Sequence, residues 1–415
     1  MLGKGPPLVP ARFLAMLAAA LLISGERLAL AQGGVGRREV PTPTIPEIQK
    51  ERPPPPSQSE SSSSQPDAAA PEPPSTAKKP EENRGGRVIV PLVVYTPEMQ
   101  LGLGGFLVQF FRLGNEAPDS RVSSLAFVAL VTTRKQAIFE IHPDFYWDDE
   151  RNHIMGKLEY QRFPDSFWGI GPRTRDGDKE DYLRERVRFH GGFYRRIAGR
   201  MFAGLTTDLM DLRAVYSKPD GLFETQDIPG KHGGFTAGAG PTLSFDNRDN
   251  AISTRSGTLL TATLLGYDRV LGSRYDFSKL FTEARVFFPV GDESALALRY
   301  YGEFQAGVVP YYHLAMLGGD ELLRGYYMGR YRDKNLVALE AEYRFPLFWK
   351  FGAVMFAGAG DVADRALDLP KEPIRWAGGG GLRLSLNSKE RLNLRLDVGA
   401  GPDTFGVYFT AREAF

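Results

Sequence analysis

Cysteine is absent from the 415-residue sequence, and its absence excludes several kinds of site. A chain without thiols has no disulfide, no thiolate nucleophile, no cysteine-ligated metal and no lipid-anchored cysteine. The 5 histidines are scattered, and none shows metal-ligand spacing. A Ser-His pair of the kind a barrel lipase uses cannot be placed from the sequence. We therefore expect no metal, no cofactor and no enzymatic activity.

Long apolar runs are also lacking beyond the N-terminus. A membrane-spanning helix needs about 20 consecutive apolar residues, so a helical membrane protein is excluded. The chain also lacks an excess of either charge, because 51 basic residues face 50 acidic ones. A balanced chain has no global field for gathering nucleic acid, and nucleic acid is not an expected partner.

Residues 1–31 have the pattern of a cleaved secretory signal peptide. Lys4 and Arg12 precede the apolar run "FLAMLAAALLI", and the small residues "ALA" come just before Gln32. A run of this length is too short to cross a bilayer as a helix. The alternative, a buried helix of a cytosolic protein, leaves "ALAQGG" without a purpose. We expect a mature chain that begins at Gln32 and is exported.

Residues 32–86 are rich in proline, serine and charge, as in "RPPPPSQSESSSSQPDAAAPEPP". They contain too few large apolar residues to offset the entropy of ordering the chain. Proline-rich sequence of this kind favours an extended, partly polyproline-II conformation. We predict a disordered linker on the periplasmic side.

Residues 87–415 alternate apolar and polar side chains, which is the period of a β-strand. In "NLVALEAEYRFP", for example, Leu339 and Ala341 share the apolar face while Glu340, Glu342 and Arg344 share the polar face. About sixteen such runs are present. We place them at residues 87–95, 101–112, 122–133, 136–146, 152–163, 183–196, 200–214, 234–246, 257–266, 274–288, 293–306, 335–346, 351–360, 375–386, 391–401 and 404–415.

The charges in mid-strand decide between a soluble and a membrane fold. A soluble sandwich or lipocalin-like barrel buries its apolar faces and leaves its outward faces polar. Here the apolar faces persist around all the strands, so the charges need a hydrated lumen and the other face needs lipid. The longest connections, 164–182, 215–233, 307–334 and 361–374, also fall on the same side of an up-and-down barrel. The sequence therefore predicts an all-β transmembrane antiparallel barrel of the outer-membrane type.

The segment "GGDELLRGYYMGRYRDKN", followed by "ALEAEYRFPL", resembles the bacterial surface antigen family, which contains the barrels of BamA-like assembly factors and two-partner-secretion transporters. The resemblance covers essentially the whole strand region. It implies that the sixth outer connection folds into the lumen and that its Arg-Gly-Tyr tip meets acidic residues on the barrel wall. On this resemblance Arg324, Gly325 and Tyr326 form a loop latch, and Glu342 is its partner.

The chemistry of the strand faces supports the same pairing. A guanidinium inside a lumen needs carboxylates, which its planar fork can bind bidentately. Glu340 and Glu342 lie on the inward face of their strand, and Asp397 lies on the inward face of a later one. We predict that Arg324 pairs with Glu342, that Glu340 is a further latch partner, and that Asp397 or Asp361 takes the place of the second acidic partner. A solvated surface loop with an incidental arginine is the alternative.

The first and last strands carry one feature each. Pro91 cannot donate a ladder hydrogen bond, so it belongs at an edge or bulge, and at the barrel seam it would favour lateral opening. Alternatively, Pro91 marks the start of its strand. In the last strand Val407 and Phe409 face outward before the terminal Phe415. This pattern resembles the assembly signal recognised by barrel-assembly machinery.

Two functions follow as hypotheses. The resemblance implies assistance in the insertion or translocation of client outer-membrane or secreted proteins, or of lipids, with outer-membrane lipid, lipopolysaccharide and the assembly machinery as further partners. Members with this role carry polypeptide-transport-associated (POTRA) domains ahead of the barrel, and residues 32–86 are too short to fold as one. We expect a barrel-only member. The alternative is a passive plugged channel or a structural protein of the outer membrane.

Overall fold

The computed structural model describes residues 86–114, 120–216, 218–251, 253–387, 391–411 and 413–415. The predicted signal peptide and almost all of the predicted linker lie outside the described residues. The strands are β1 (Arg87–Thr96), β2 (Gln100–Phe111), β3 (Ser123–Thr132), β4 (Ala137–Trp147), β5 (Asn152–Phe167), β6 (Glu180–Ala198), β7 (Met201–Tyr216), β8 (Gly234–Asp246), β9 (Gly257–Tyr267), β10 (Phe277–Val290), β11 (Ser294–Gly307), β12 (Ala315–Leu317), β13 (Tyr331–Asp333), β14 (Asn335–Phe348), β15 (Phe351–Ala363), β16 (Arg375–Asn387), β17 (Leu392–Gly401) and β18 (Thr404–Ala411).

Sixteen of these strands form one closed antiparallel barrel within the described part of the chain. Each barrel strand pairs with its neighbours in sequence, and β1 lies next to β18. β12 and β13 form a separate two-stranded sheet inside the connection between β11 and β14. Helical structure among the described residues consists of one α-helical turn (Leu222–Thr225) and three 3₁₀ turns (Asp176–Asp178, Arg269–Leu271 and Ala366–Lys371). The predicted fold class is confirmed.

The alternation read from the sequence places charge inside the barrel and apolar groups outside. On β14, the outward Leu339 is 58% exposed, whereas the inward Glu340 is 7% exposed and Glu342 is fully buried. An apolar outer surface of this kind is stable against lipid, and the hydrated interior can hold paired charges. No helix among the described residues is long and apolar enough to cross a membrane.

The long connections gather at one end of the barrel, which we call the outer end. They bind one another there: Arg330 pairs with Asp176 at 2.7 Å, and Arg173 pairs with Glu372 at 3.1 Å. Beneath them lies a cluster of buried aromatic and aliphatic side chains, which we call the outer seal. It consists of Phe167, Tyr182, Met210, Leu212, Phe223, Ile228, Leu265, Tyr267, Phe277, Val309, Tyr311, Tyr312 and Leu314.

The structure corrects three predicted strand ends. β5 and β6 are longer than the predicted runs 152–163 and 183–196, because their pairing continues beyond the apolar band to Phe167 opposite Glu180. The last strand is shorter than the predicted 404–415, so the prediction that it runs to Phe415 is wrong. β18 ends at Ala411, and residues 413–415 pack against side chains of the lumen.

The turned-in residues 413–415 are held by lumen side chains at the other, inner end of the barrel. Glu413 pairs with Arg383 at 2.6 Å. Phe415 is buried against Phe287 and Ala297 of β10 and β11. These contacts explain why strand alternation stops before the last residues. Glu413 binds an arginine of the lumen instead of continuing the pleat of β18.

Candidate functional site: the infolded connection and the barrel seam

The connection between β11 and β14 folds into the lumen as a small closed loop. β12 pairs with β13, from Ala315 opposite Asp333 to Leu317 opposite Tyr331. The tip between them turns sharply at Gly325, whose φ of +122° favours glycine. A Cβ at Gly325 would also lie 3.1 Å from the backbone of β17. The short β12 and β13 were not among the predicted strands, since three residues are too few to show a period.

Arg324 at the tip is inserted between two carboxylates of the barrel wall. Its Nη2 lies 2.5 Å from Glu342 Oε2 of β14, and its Nη1 lies 2.6 Å from Asp397 Oδ2 of β17. Its guanidinium also lies 3.5 Å from the centre of the Phe356 ring. Arg324 is 1% exposed, and burial alone would favour its neutral form. The two carboxylates outweigh burial, raise the pKa of Arg324 and keep it charged.

Both carboxylates have a second arginine on the wall itself. Glu342 Oε1 lies 2.7 Å from Arg344 Nε, and Asp397 Oδ1 lies 2.5 Å from Arg383 Nη1. Glu342 and Asp397 therefore each keep an arginine partner on the wall when the tip is withdrawn, and Arg324 exchanges these carboxylates for water. This arrangement suits a contact that can be broken and remade.

The other predicted partners have different places. Glu340 does not bind the guanidinium; its Oε1 accepts a hydrogen bond from the Leu323 backbone N–H at 2.8 Å. Asp397 is the second partner of Arg324. Asp361 lies at the outer end of β15, where its Oδ1 accepts a hydrogen bond from Val362 N.

The tip is also bound to β18, and sequence reasoning missed the residues that do so. The Gly325 backbone N–H donates to Tyr408 Oη at 2.8 Å, and Thr404 Oγ1 donates to Gly325 O at 2.5 Å. Tyr326 itself is buried and donates from its hydroxyl to Trp376 O at 3.3 Å. The only available signal was that Tyr408 stands on the inward face of an alternating strand.

The seam between β1 and β18 has little backbone pairing. Within the described residues, Tyr95 opposite Phe409 is the only register pair between these strands. By contrast, β18 pairs with β17 along its whole length, from Thr404 to Ala411. Phe409 thus faces its partner across the seam, and Val407 lies two residues further toward the outer end.

Pro91 lies in the middle of β1 rather than at its start. Gly86 O accepts a hydrogen bond from Phe110 N of β2, so the even-numbered residues of β1 point their backbone groups toward β2. The odd-numbered residues, including Pro91, point theirs toward the seam. Pro91, which has no N–H donor, therefore faces the seam at a level beyond the last residue of β18.

A cavity of about 830 Å³ lies in the lumen below the outer seal. Its wall carries paired charges such as Arg188 with Asp208 at 2.7 Å and Lys279 with Glu303 at 2.6 Å. No group of histidine and carboxylate side chains among the described residues has the geometry of a metal site. The infolded connection, including Met316 and Asp320, forms one side of the cavity.

A family model described as the Omp85 superfamily domain matches residues 134–407. The chain belongs to the Omp85 superfamily. The match confirms the resemblance to BamA-like surface antigen barrels and covers the infolded connection and most of the strands. An antiparallel barrel of the Omp85 superfamily lies in an outer membrane. A search of the curated proteins finds no match.

Solved structures of the same architecture agree with this assignment of the fold. The chain is similar to BamA from Haemophilus ducreyi lacking POTRA domains 1–3, with 13% identity, a TM-score of 0.54, and coverage of 79% of this chain and 70% of that one. It is also similar to CdiB from Escherichia coli, with 13% identity, a TM-score of 0.55, and coverage of 80% and 63%. CdiB from Acinetobacter baumannii matches at 12% identity with a TM-score of 0.50 and coverage of 79% and 59%. The chain thus spans less than two thirds of either CdiB.

Proposed function

We propose that this Omp85 barrel assists the insertion or translocation of proteins at the outer membrane through its β1–β18 seam. The observation that carries the proposal is that the described residues form a single register pair, Tyr95 with Phe409, across that seam. An unpaired strand edge is a template for another strand. The edge of β1 before Tyr95 can therefore accept a client segment, while the other strands keep the barrel intact.

The infolded connection has a defined part in this proposal. It binds β14 and β17 through Arg324, and it binds β18 through Tyr408 and Thr404. It therefore holds one side of the seam in place while β1 moves. The family's BamA and CdiB relatives are the reason for choosing outer-membrane or secreted proteins as clients. Lipid, lipopolysaccharide and the assembly machinery are further partners in the proposal, and it includes no enzymatic step.

A passive plugged channel is the second candidate function. The outer seal and the infolded connection fill the outer part of the lumen, and a plug needs no more than this. The seam distinguishes the two functions, because passive conduction does not require lateral opening of the barrel.

A disulfide across the seam tests the proposal directly. Because the chain has no cysteine, the double variant Tyr95→Cys with Phe409→Cys can form only one intramolecular disulfide. In the native host, oxidation of this variant should reproduce the loss of outer-membrane proteins that follows depletion of the protein, and reduction should restore them. The matched control is Val286→Cys with Leu298→Cys, a register pair of the well-paired strands β10 and β11. A locked seam with an unchanged outer-membrane proteome would contradict the proposal.

A further inference from the structure

The infolded connection also reaches the β1 side of the seam. Glu98 lies in the turn between β1 and β2, and its Oε1 accepts a hydrogen bond from the Met328 backbone N–H at 2.5 Å. The same turn is fixed to its neighbours, since Glu98 O accepts hydrogen bonds from Arg134 at 3.1 Å and from Gln136 at 2.9 Å. Glu98 is 4% exposed.

The contacts at Met328 and at Gly325 lie on opposite sides of the seam. Gly325 and Tyr326 bind β18 through Tyr408, whereas Met328 binds the outer end of β1 through Glu98. Between these strands the backbone supplies one register pair. The connection therefore bridges the seam from inside the lumen, close to its outer end.

Within the part of the chain that the structure describes, the Glu98 carboxylate has no cationic partner. No lysine, arginine or histidine of the described residues lies within ion-pair distance of it, and Arg134 is directed at the Glu98 carbonyl and the Tyr327 hydroxyl instead. Thr96, the last residue of β1, supplies a further hydrogen bond. The titratable and charged groups around Glu98 are Arg134 of the β3–β4 turn, Asp165 of β5, Asp320 and Tyr327 of the connection, and Tyr408 of β18.

We propose that the contact between Glu98 and Met328 is a proton-controlled staple, which holds the outer end of the seam closed when Glu98 is neutral and releases it when Glu98 is ionised. A neutral Glu98 carboxyl can still accept the Met328 N–H hydrogen bond, and its burial does not require the desolvation of a charge. An ionised Glu98 would be buried beside Asp320 without a cation, so its hydration by water favours the released state.

The direction of the pH dependence follows from the environment of Glu98. Burial raises its pKa from 4.5 to about 7, against the opposing effect of the Met328 hydrogen bond. A carboxyl whose pKa is higher in the stapled state favours that state at low pH. The contribution is complete below 4.5 and is lost as the pH rises through about 7. Between pH 5.5 and 8.5 the ratio of released to stapled molecules should rise roughly 30-fold.

The distance across the seam tests the staple. Spin labels are attached to cysteines introduced at Val93 of β1 and Val407 of β18, neither of which takes part in the contact between Glu98 and Met328. They report the separation of the two strands in the full chain reconstituted in phospholipid vesicles. We expect a narrow distance distribution at pH 5.5 and a second, longer distance that grows with a midpoint near pH 7. Glu98→Gln should stay narrow at both pH values, because it is the neutral isostere. Glu98→Ala should show the longer distance at both.

Asp333→Asn is the matched control. Burial raises the pKa of Asp333 in the same connection to about 6, but Asp333 lies in β13 and accepts its hydrogen bond from Lys334 N. The pH response should survive in this variant. A wild-type distance that does not change with pH, or a response that persists in Glu98→Gln and Glu98→Ala, would overturn the staple. Because the labels report the seam and not client insertion, this result is independent of the proposed function.

Discussion

Arg324 shows how one buried charge can be held firmly and still be released. Removing one partner of a buried ion pair usually destabilises a protein by about 3–5 kcal/mol, because the remaining charge has lost its partner. Here Glu342 and Asp397 keep Arg344 and Arg383 when Arg324 is gone. The penalty for the wall is therefore smaller than in an isolated pair.

We expect Arg324→Ala to lower the free energy of unfolding by about 2 kcal/mol, below the usual range for a broken buried pair. Thermal unfolding followed by heat-modifiable gel migration measures the change. Arg173→Ala is the control, since Arg173 is 73% exposed and pairs with Glu372 at the surface. Equal melting temperatures for the two variants would show that Arg324 does not anchor the connection.

Gly399 provides a steric test of the same contact. A Cβ at this position would lie 2.4 Å from the Arg324 carbonyl oxygen, which belongs to the backbone and cannot turn aside. Gly399→Ala should displace the tip while the strands remain paired. The control is Gly378→Ala, whose Cβ would meet its nearest atom at 3.4 Å. Protease cleavage within the connection of Gly399→Ala only, with the barrel intact, is the expected result.

At the scale of the elements, the strands could be predicted because lipid and lumen impose opposite demands on alternate residues. β14 shows this between Leu339 and Phe345, where the apolar side chains take the odd-numbered positions and the charged ones take the even-numbered positions. Where neither demand applies, the pattern fails. The pairing of β5 with β6 continues through Pro164 and Asp165, which carry no strand signal.

The candidate site was partly predictable for the same reason. Arg324, Glu342 and Asp397 are charges that a lumen must pair, so their faces and the family resemblance were sufficient to bring them together. Tyr408 and Thr404 act through hydrogen bonds to backbone atoms of the tip. Such contacts depend on where the tip comes to lie and leave no mark on the sequence.

The seam predicts an alternating pattern of amide protection along β1. Val90 and Val94 direct their backbone groups to β2, whereas Ile89 and Val93 direct theirs to the seam, where β18 offers no register partner. We expect Ile89 and Val93 amides to exchange with deuterium much faster than those of Val90 and Val94. Amide-resolved exchange in detergent micelles checks this. Equal protection at all four positions would mean that β1 is paired on both sides.

For the whole molecule, the closed outer end predicts how the barrel conducts ions. The outer seal contains residues of the infolded connection as well as Phe167 and Phe223 from elsewhere. Intact barrels in planar bilayers should therefore give small, fluctuating currents. Removal of residues 308–334, with a short linker joining β11 to β14, should raise the conductance several-fold. Trimming the exposed turn Arg269–Leu271 is the control and should change nothing. A large, steady pore in the intact protein would favour a porin.

The unequal lengths of the strands have a consequence for the surrounding lipid. β6 has 19 residues, and β18 has 8. At about 3.3 Å per residue and a tilt of about 40°, they rise roughly 48 Å and 20 Å along the barrel axis. A lipid-facing band on a barrel of this type is about 25 Å tall, so β18 falls short of it. Acyl chains beside the seam must therefore shorten or disorder to match the wall, and the bilayer is thinnest where the barrel is least closed.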